Sequence, residues 1–301
     1  MSQSSRTAAA AAGVSLIALI AAYYQATRKY RVSKNGSRHL RWVARAGFKS
    51  FAKELNVAVR LALQCGEAIT AVSTCPTTAP TAVLKDGKHG IDPQTATDLA
   101  NEQLIMRTLS TEFPAHAIIG EETSAAAGGQ VPPIDPAVPT WIIDPIDGTQ
   151  NFVSGLPLAV VSIGLCCNGV PTLGVIYDPY RDELFVGIAS EGAFVNGVPL
   201  CADSTCVTID KAMVLTDVGY ERSAKGARRL AACHEALLLA NTFGVRVIGS
   251  TVLALAWVAA GRASAFCAGV HRKDSPKAWD FCAAKAIGDA RYAHAIDANL
   301  A

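Results

Sequence analysis

Carboxylates arrive repeatedly where apolar runs end, a placement suited to holding cations. Ile118-Ile119-Gly120 leads into Glu121-Glu122, and Trp141-Ile142-Ile143 leads into Asp144-Pro145-Ile146-Asp147-Gly148-Thr149. A side chain just past a buried strand sits at the rim of a sheet, fixed by packing yet open to a ligand. Asp144 and Asp147 are three residues apart across a proline, so the chain turns and both acids can converge on one point. Clustered carboxylates raise one another's pKa unless a cation is present. Hard divalent ions with oxygen ligands, magnesium above all, relieve that repulsion. Gly148 permits a tight turn, and N–H groups at a following helix start can cradle phosphate oxygens. A metal beside an anion-binding backbone is what phosphate-ester hydrolysis requires. Taken alone, Asp-Pro and Asp-Gly would also serve an ordinary turn.

The elements that must position these acids follow from apolar spacing. Leu55, Val59, Leu63 and Ile69 recur at helical intervals between Phe51 and Thr70. A second helix starts near Thr97, carries Leu104, Ile105 and Leu109, and ends at Pro114. Short apolar runs at 117–119 and 141–143 read as buried strands, separated by an Ala-, Gly- and Pro-rich loop over 125–139. Further strands are expected at 160–166, 173–177 and 184–188, with turn signals at Glu191-Gly192 and Asn196-Gly197. A helix over 223–240, a strand over 245–248, and helices over 250–260 and 278–287 complete the pattern. Mixed strands and helices with central hairpins indicate an α+β or layered architecture.

Composition narrows the function classes. The chain has 301 residues, half of them hydrophobic, and a formal net charge of +2. Ten basic residues precede the first acid, Glu54, namely Arg6, Arg28, Lys29, Arg31, Lys34, Arg38, Arg41, Arg45, Lys49 and Lys53. The remainder holds 17 basic residues against 25 acidic ones, a net of about −8. An acidic body argues against a nucleic-acid groove. Nine cysteines without a C-x-x-C pair form neither a disulfide framework nor a zinc site, and suit a reducing compartment. Residues 1–50 read as a basic, Ala-rich extension distinct from a catalytic domain over 51–301, itself divided near 195 and 196. Its apolar run, residues 8–24, is at the lower limit for a membrane span. With basic residues following, it reads as an anchor leaving the catalytic domain in the cytoplasm. A mitochondrial or plastid transit peptide and a plain Ala-rich tail are the other readings.

Five ordered motifs across about residues 54–287 resemble the inositol monophosphatase family. The stretch from Trp141 to Phe152 is similar to that family's first signature, and Ala278-Trp279-Asp280 with Phe281 to Ala284 to its second. Glu121-Glu122 matches the acidic pair, Thr95 to Asp98 an upstream acidic element, and Gly249-Ser250-Thr251 a substrate-contacting turn. The resemblance implies a layered αβαβα sandwich, a homodimer, two or three Mg2+ ions and sensitivity to lithium. It also implies that Glu121, Asp144 and the Ile146 carbonyl hold one ion, while Asp144, Asp147 and Asp280 hold another. Thr149, with Glu121 and Asp98, would orient the attacking water, and backbone N–H groups of Gly148 and Thr149 would bind phosphate. The implied activity is hydrolysis of inositol monophosphate. A broader sugar- or polyol-phosphate phosphatase, a 3′(2′),5′-bisphosphate nucleotidase and an inactive metal-binding or membrane-tethered scaffold are the alternatives.

Several positions depart from the family pattern. Gln150 stands where a second threonine is common, and Ser154 where a histidine is. Cys267 lies near the place of a glutamate that binds ring hydroxyls, and a thiol cannot replace two acceptor oxygens. His271 to Lys277 is insertion-like along the same wall, with His271 in a basic loop. Lys85 reads as a solvated lysine. After Ile287 an acid and a Gly-Gly turn are expected, whereas Gly288-Asp289-Ala290-Arg291 leads to an Ala-rich ending that looks truncated.

Overall fold

A computed structural model describes residues 34–73, 80, 82–85, 91–201, 206, 208–268 and 276–298. The apolar run 8–24 and residues 271–275 lie outside the described residues. Helix α1 spans Lys34–Ala46, and α2, Ala52–Ser73, buries Leu55, Val59, Leu63 and Ile69 on one side. A two-stranded antiparallel ribbon joins β1 (Ala82–Leu84) to β2 (Pro93–Thr95) and leads into α3 (Ala96–Glu112). Thr95 caps α3 reciprocally with Asp98, each side chain bonding the other residue's backbone N–H.

Seven strands form the central sheet. They are β3 (Ala117–Gly120), β4 (Thr140–Asp147), β5 (Val160–Cys167), β6 (Val170–Asp178), β7 (Glu183–Ile188), β8 (Gly192–Val195) and β9 (Val198–Pro199), paired in that order. Only β3 and β4 run parallel. A short helix, α4 (Glu121–Ala126), follows β3, so the start of the expected 125–139 loop is helical. Another, α5 (Thr149–Val153), follows β4. Asn196 and Gly197 both adopt positive φ in the two-residue turn between β8 and β9, the hairpin geometry their types favour.

The middle strands read as continuous apolar runs because both faces are covered. Ile143, Ile163, Leu165, Val175 and Val186 face α2 and α3, whereas Val160, Ile176 and Phe185 face the opposite layer. That layer consists of α7 (Thr251–Ala259) and α8 (Ala278–Ala298). The latter runs eleven residues beyond the expected end at 287. It continues as helix because Ala- and Arg-containing sequence there holds no breaker after Gly288.

The seating of α8 depends on a row of glycines. Gly164 pairs with Gly174, and Gly174 with Gly187, across β5, β6 and β7. A Cβ on Gly164 would lie 2.6 Å from Cys282 Sγ, and one on Gly187 would lie 2.6 Å from the Cα of Ile287. A Cβ on Gly174 would overlap the Ala283 carbonyl. Only glycine allows the helix backbone this close to the sheet.

Beyond α7 lies a parallel sheet of three strands, β10 (Met213–Thr216), β11 (Gly244–Val247) and β12 (Ala265–Cys267), with β10 central. Helix α6 (Ala224–Leu239) covers it sparsely. Among its residues only Gly226 is buried, and Leu238 and Leu239 are exposed. The layers thus alternate helix, sheet, helix, sheet, helix.

Residues 34–46 do not stand apart from this body. His39 is fully buried, its Nε2 2.6 Å from Asp182 Oδ1, and its Nδ1 accepts from the Trp42 indole at 3.1 Å. Val43 joins the main core. Helix α1 is therefore packed onto the body of the protein upstream of the expected boundary at residue 50. Helix α2 is long and apolar enough to span a membrane, yet 61% of its apolar window is buried in the protein, as befits a core helix.

Candidate active site

The acids converge at the rim shared by β4 and the start of α8. Ligand oxygens of Asp144, Asp147 and Asp280 all lie within 4.8 Å of one another. Strand β4 brings the first two. Its pairing with β5 shifts between Asp144 and Asp147, and that irregularity lets residues three apart point to one place. Asp144 Oδ1 accepts the Ile146 N–H at 3.0 Å, fixing the turn. Asp147 Oδ2 accepts from the Ser250 hydroxyl and, at 3.0 Å, from the Val252 N–H. Asp280 sits in the first turn of α8, where its Oδ2 accepts the Lys277 N–H at 2.5 Å.

Electrostatics at this point fit a cation. Burial raises the Asp144 pKa well above the carboxylate range, and Glu121, Asp147 and Asp280 add to the shift. Asp147 is pushed up to about 7, chiefly by burial, against the lowering hydrogen bond from Ser250. Burial and then Asp147 raise Asp280. Two buried carboxylates and a half-buried third, with only oxygen donors, match the preference of a hard divalent ion such as magnesium.

Glu121 and Glu122 form a second acidic group at the start of α4. Lys85 Nζ lies 2.6 Å from Glu121 Oε1, 3.1 Å from Glu122 Oε1 and 3.8 Å from Asp92 Oδ1. Its side chain is only 9% exposed, so the solvated reading of Lys85 is corrected. Burial lowers the ammonium pKa, but the three carboxylates outweigh it and the net shift is upward. Glu122 is pushed up to about 8 by burial and then by Glu121, while Gln94 donates to its Oε2 at 2.5 Å.

Thr149 lies in the first turn after Gly148, with its hydroxyl 2.9 Å from the Ile146 carbonyl and 3.2 Å from Asp98 Oδ1. Asp98 also accepts the Thr95 N–H at 2.9 Å. Burial raises its pKa to about 6, partly offset by the Thr95 bonds. Gly148 has φ of 91°, and a Cβ there would lie 2.6 Å from the Leu158 carbonyl, so the turn requires glycine. Ser250 and Thr251 begin α7. Ser250 caps that helix through the Leu253 N–H at 3.3 Å, linking the turn at Gly249 to Asp147.

Some supporting residues escaped sequence reasoning. Glu102 is buried and accepts the N–H groups of Glu122 and Thr123 at 2.8 and 2.7 Å, fixing the start of α4. Gly120 makes room for it, since a Cβ there would lie 2.6 Å from that carboxyl. Asn151 donates to the carbonyls of Leu158 at 2.9 Å and Ile248 at 2.8 Å, tying α5 to the turn before α7. A carboxylate facing a helix start is the signal that could have marked Glu102.

The inositol monophosphatase family model matches residues 52–290. The chain belongs to the inositol monophosphatase family. Inositol monophosphatase 1 of Solanum lycopersicum is 44% identical over 179 residues, covering 60% of this chain and 64% of the relative. The matched segment thus spans just under two thirds of that relative. Inositol monophosphatase 2 of Homo sapiens is 39% identical over 231 residues, covering 76% of this chain and 75% of the relative. Among solved structures, the extragenic suppressor protein suhB of Bartonella henselae has a TM-score of 0.67 at 26% identity, covering 79% of this chain and 85% of that one. The inositol monophosphatase of Anabaena follows at 0.63 and 30%, covering 81% and 83%. The layered α+β sandwich is that of the inositol monophosphatase fold.

Proposed function

We propose that this protein is a magnesium-dependent phosphomonoesterase acting on inositol monophosphate. The observation that carries this reading is the convergence of Asp144, Asp147 and Asp280 beside the Gly148–Thr149 turn. Asp144, Asp147 and Asp280 would hold one ion, with Glu121, Asp144 and the Ile146 carbonyl serving another. Two or three magnesium ions bound there would supply Lewis acidity toward phosphate oxygens and the attacking water.

The chain's own residues orient that attack. By donating to Asp98 or to the Ile146 carbonyl, the Thr149 hydroxyl keeps its lone pairs free to accept from water. With a pKa near 6, Asp98 is ionised at neutral pH and suited to hold that proton relay in one orientation. Glu121 stands beside Asp144 and completes the water's surroundings as a candidate catalytic acid. Backbone N–H groups of Gly148 and Thr149 would hold phosphate, and Gly249, Ser250, Thr251 and Asp280 would border the alcohol. Water then attacks phosphorus, the ester P–O bond breaks, and the alcohol leaves with a proton.

The family's lithium sensitivity and homodimeric assembly, and a membrane tether through residues 8–24, belong to the same reading. At the wall where ring hydroxyls would bind, Cys267 is half-buried on β12, opposite Thr216. That residue favours testing a broader sugar- or polyol-phosphate specificity beside inositol. Purified full-length protein should release phosphate from inositol 1-phosphate only with magnesium, and more slowly from glucose 1-phosphate and 3′-phosphoadenosine 5′-phosphate. Equal turnover of all three would replace inositol with a broad specificity, and no turnover of any would leave a metal-binding scaffold.

A further inference from the structure

Helix α1 separates its side chains into an inward and an outward face. Gly36, His39 and Val43 are buried, whereas Arg38, Arg41 and Arg45 are exposed at spacings of three and four. Those spacings align the three arginines along one outer stripe. Arg38 is paired with Asp182 at 2.7 Å. Among the described residues no carboxylate pairs with Arg41 or Arg45, and exposed Lys49 follows just past the helix. The outward face is therefore cationic, on a body whose remaining charge is about −8.

This helix is not a free tail. The buried His39–Asp182 contact, the Trp42 indole bond to His39 and the packing of Trp42 beside Gly197 lock it onto the sheet edge. Its basic stripe thus has a fixed direction relative to the catalytic body. Upstream, Arg28, Lys29 and Arg31 extend the positive charge, and no acid occurs before Glu54. The apolar run ends at Tyr24, ten residues before the helix starts, and ten residues reach about 35 Å at most. Whatever surface that run enters, the basic stripe lies close to it.

We propose that the Arg41–Arg45 face of α1 is a docking surface for an anionic lipid bilayer. The lipid headgroups would be the charge partner of these arginines, and the docked helix would set the orientation of the catalytic body on the membrane. A cationic surface is a usual second signal beside an apolar attachment. Each basic residue near an anionic leaflet strengthens partitioning roughly fivefold. The proposal is independent of the phosphatase reading, because neither arginine belongs to the candidate active site.

Co-flotation of the full-length protein with vesicles tests it, using phosphatidylcholine alone or mixed with phosphatidylserine. Phosphatidylserine should strengthen binding beyond that to phosphatidylcholine alone, and added salt should remove the gain. Arg41→Gln/Arg45→Gln should reduce partitioning on the order of twentyfold, with unchanged thermal unfolding and unchanged phosphate release. Leu16→Asp/Ile20→Asp removes the apolar contribution separately. Residual phosphatidylserine-dependent binding in that variant, abolished when the arginine changes are added, supports the docking surface. Wild-type partitioning by Arg41→Gln/Arg45→Gln, or equal binding of Leu16→Asp/Ile20→Asp to both vesicle types, overturns it. So does displacement from the vesicles by a short RNA at equal phosphate concentration, which would make nucleic acid the preferred partner.

Discussion

The two sheets differ in how they are held. The central strands of the large sheet are packed between helical layers, and Ile143, Ile163, Val175 and Phe185 have no exposed surface. The three-stranded sheet has one well-covered face, where Leu215 and Ala254 meet, while Phe243 beside β11 and Val247 at its end are exposed and α6 adds little cover. All three converging aspartates stand on the large sheet or on the helix pressed against it. The small sheet contributes Cys267 and the loop through Tyr220, whose ring is exposed. Geometry that must hold within a fraction of an ångström rests on the rigid half. Under the proposed function, recognition of the alcohol would fall to the half that can vary.

Substitutions on the two halves should separate these roles. The largest effect belongs to Asp147→Asn, which removes a ligand charge while keeping its shape. Steady-state kinetics should show turnover lower by about two to three orders of magnitude. Near-normal turnover would remove Asp147 from the chemistry. In the large sheet Ile163→Ala should cost about 2–5 kcal/mol in denaturant unfolding, since no neighbour can relax into the space. Gly174→Ala forces a methyl group against the backbone of α8 and should cost about 1–3 kcal/mol. Because that helix carries Asp280, magnesium affinity measured by calorimetry should fall with it.

Protonation offers a subtler contrast. Asp98, Asp147 and Glu122 are raised to about 6, 7 and 8, above their unfolded values. The stability tied to their protonated forms is complete below about pH 4 and is lost as pH rises through 6 to 8. In EDTA, the unfolding temperature should therefore fall across that window through these groups. Added magnesium should remove the fall, and its apparent affinity should rise over the same range as ligands lose protons. A flat magnesium affinity would show that Asp147 is not its ligand. The smallest effect is expected on the loose half, where Leu239→Ser on α6 should change stability by no more than about 0.5 kcal/mol.

Much of this architecture was legible in the residues themselves. Asp144 through Thr149 declared a rim site because acids interrupting an apolar run have few other uses. Helices and strands with strong periodicity, such as Leu55 to Ile69, lie where spacing placed them. Lys85 was misread because a lysine in a polar stretch looks solvated until its partners, 36 and 37 residues away, are known. Helix α1 was hidden by its charge, since four basic residues in thirteen outweigh the short apolar stripe that docks it. Glu102 went unmarked because the helix start it faces sits past the next strand. Aligned glycines on β5, β6 and β7 become a row only once strand register is fixed.

That row has a consequence for how the protein tolerates change. Where a helix rests on side chains, neighbours can swap volume and drift together over generations. Here peptide groups of one element lie against Cα atoms of another, with no intervening atoms to trade. The offset between strand and helix is thus hard-wired at Gly164, Gly174 and Gly187, and Asp280 inherits it. Any lineage keeping the third aspartate in reach of the other two has little freedom at those three positions, however far the rest of its surface diverges.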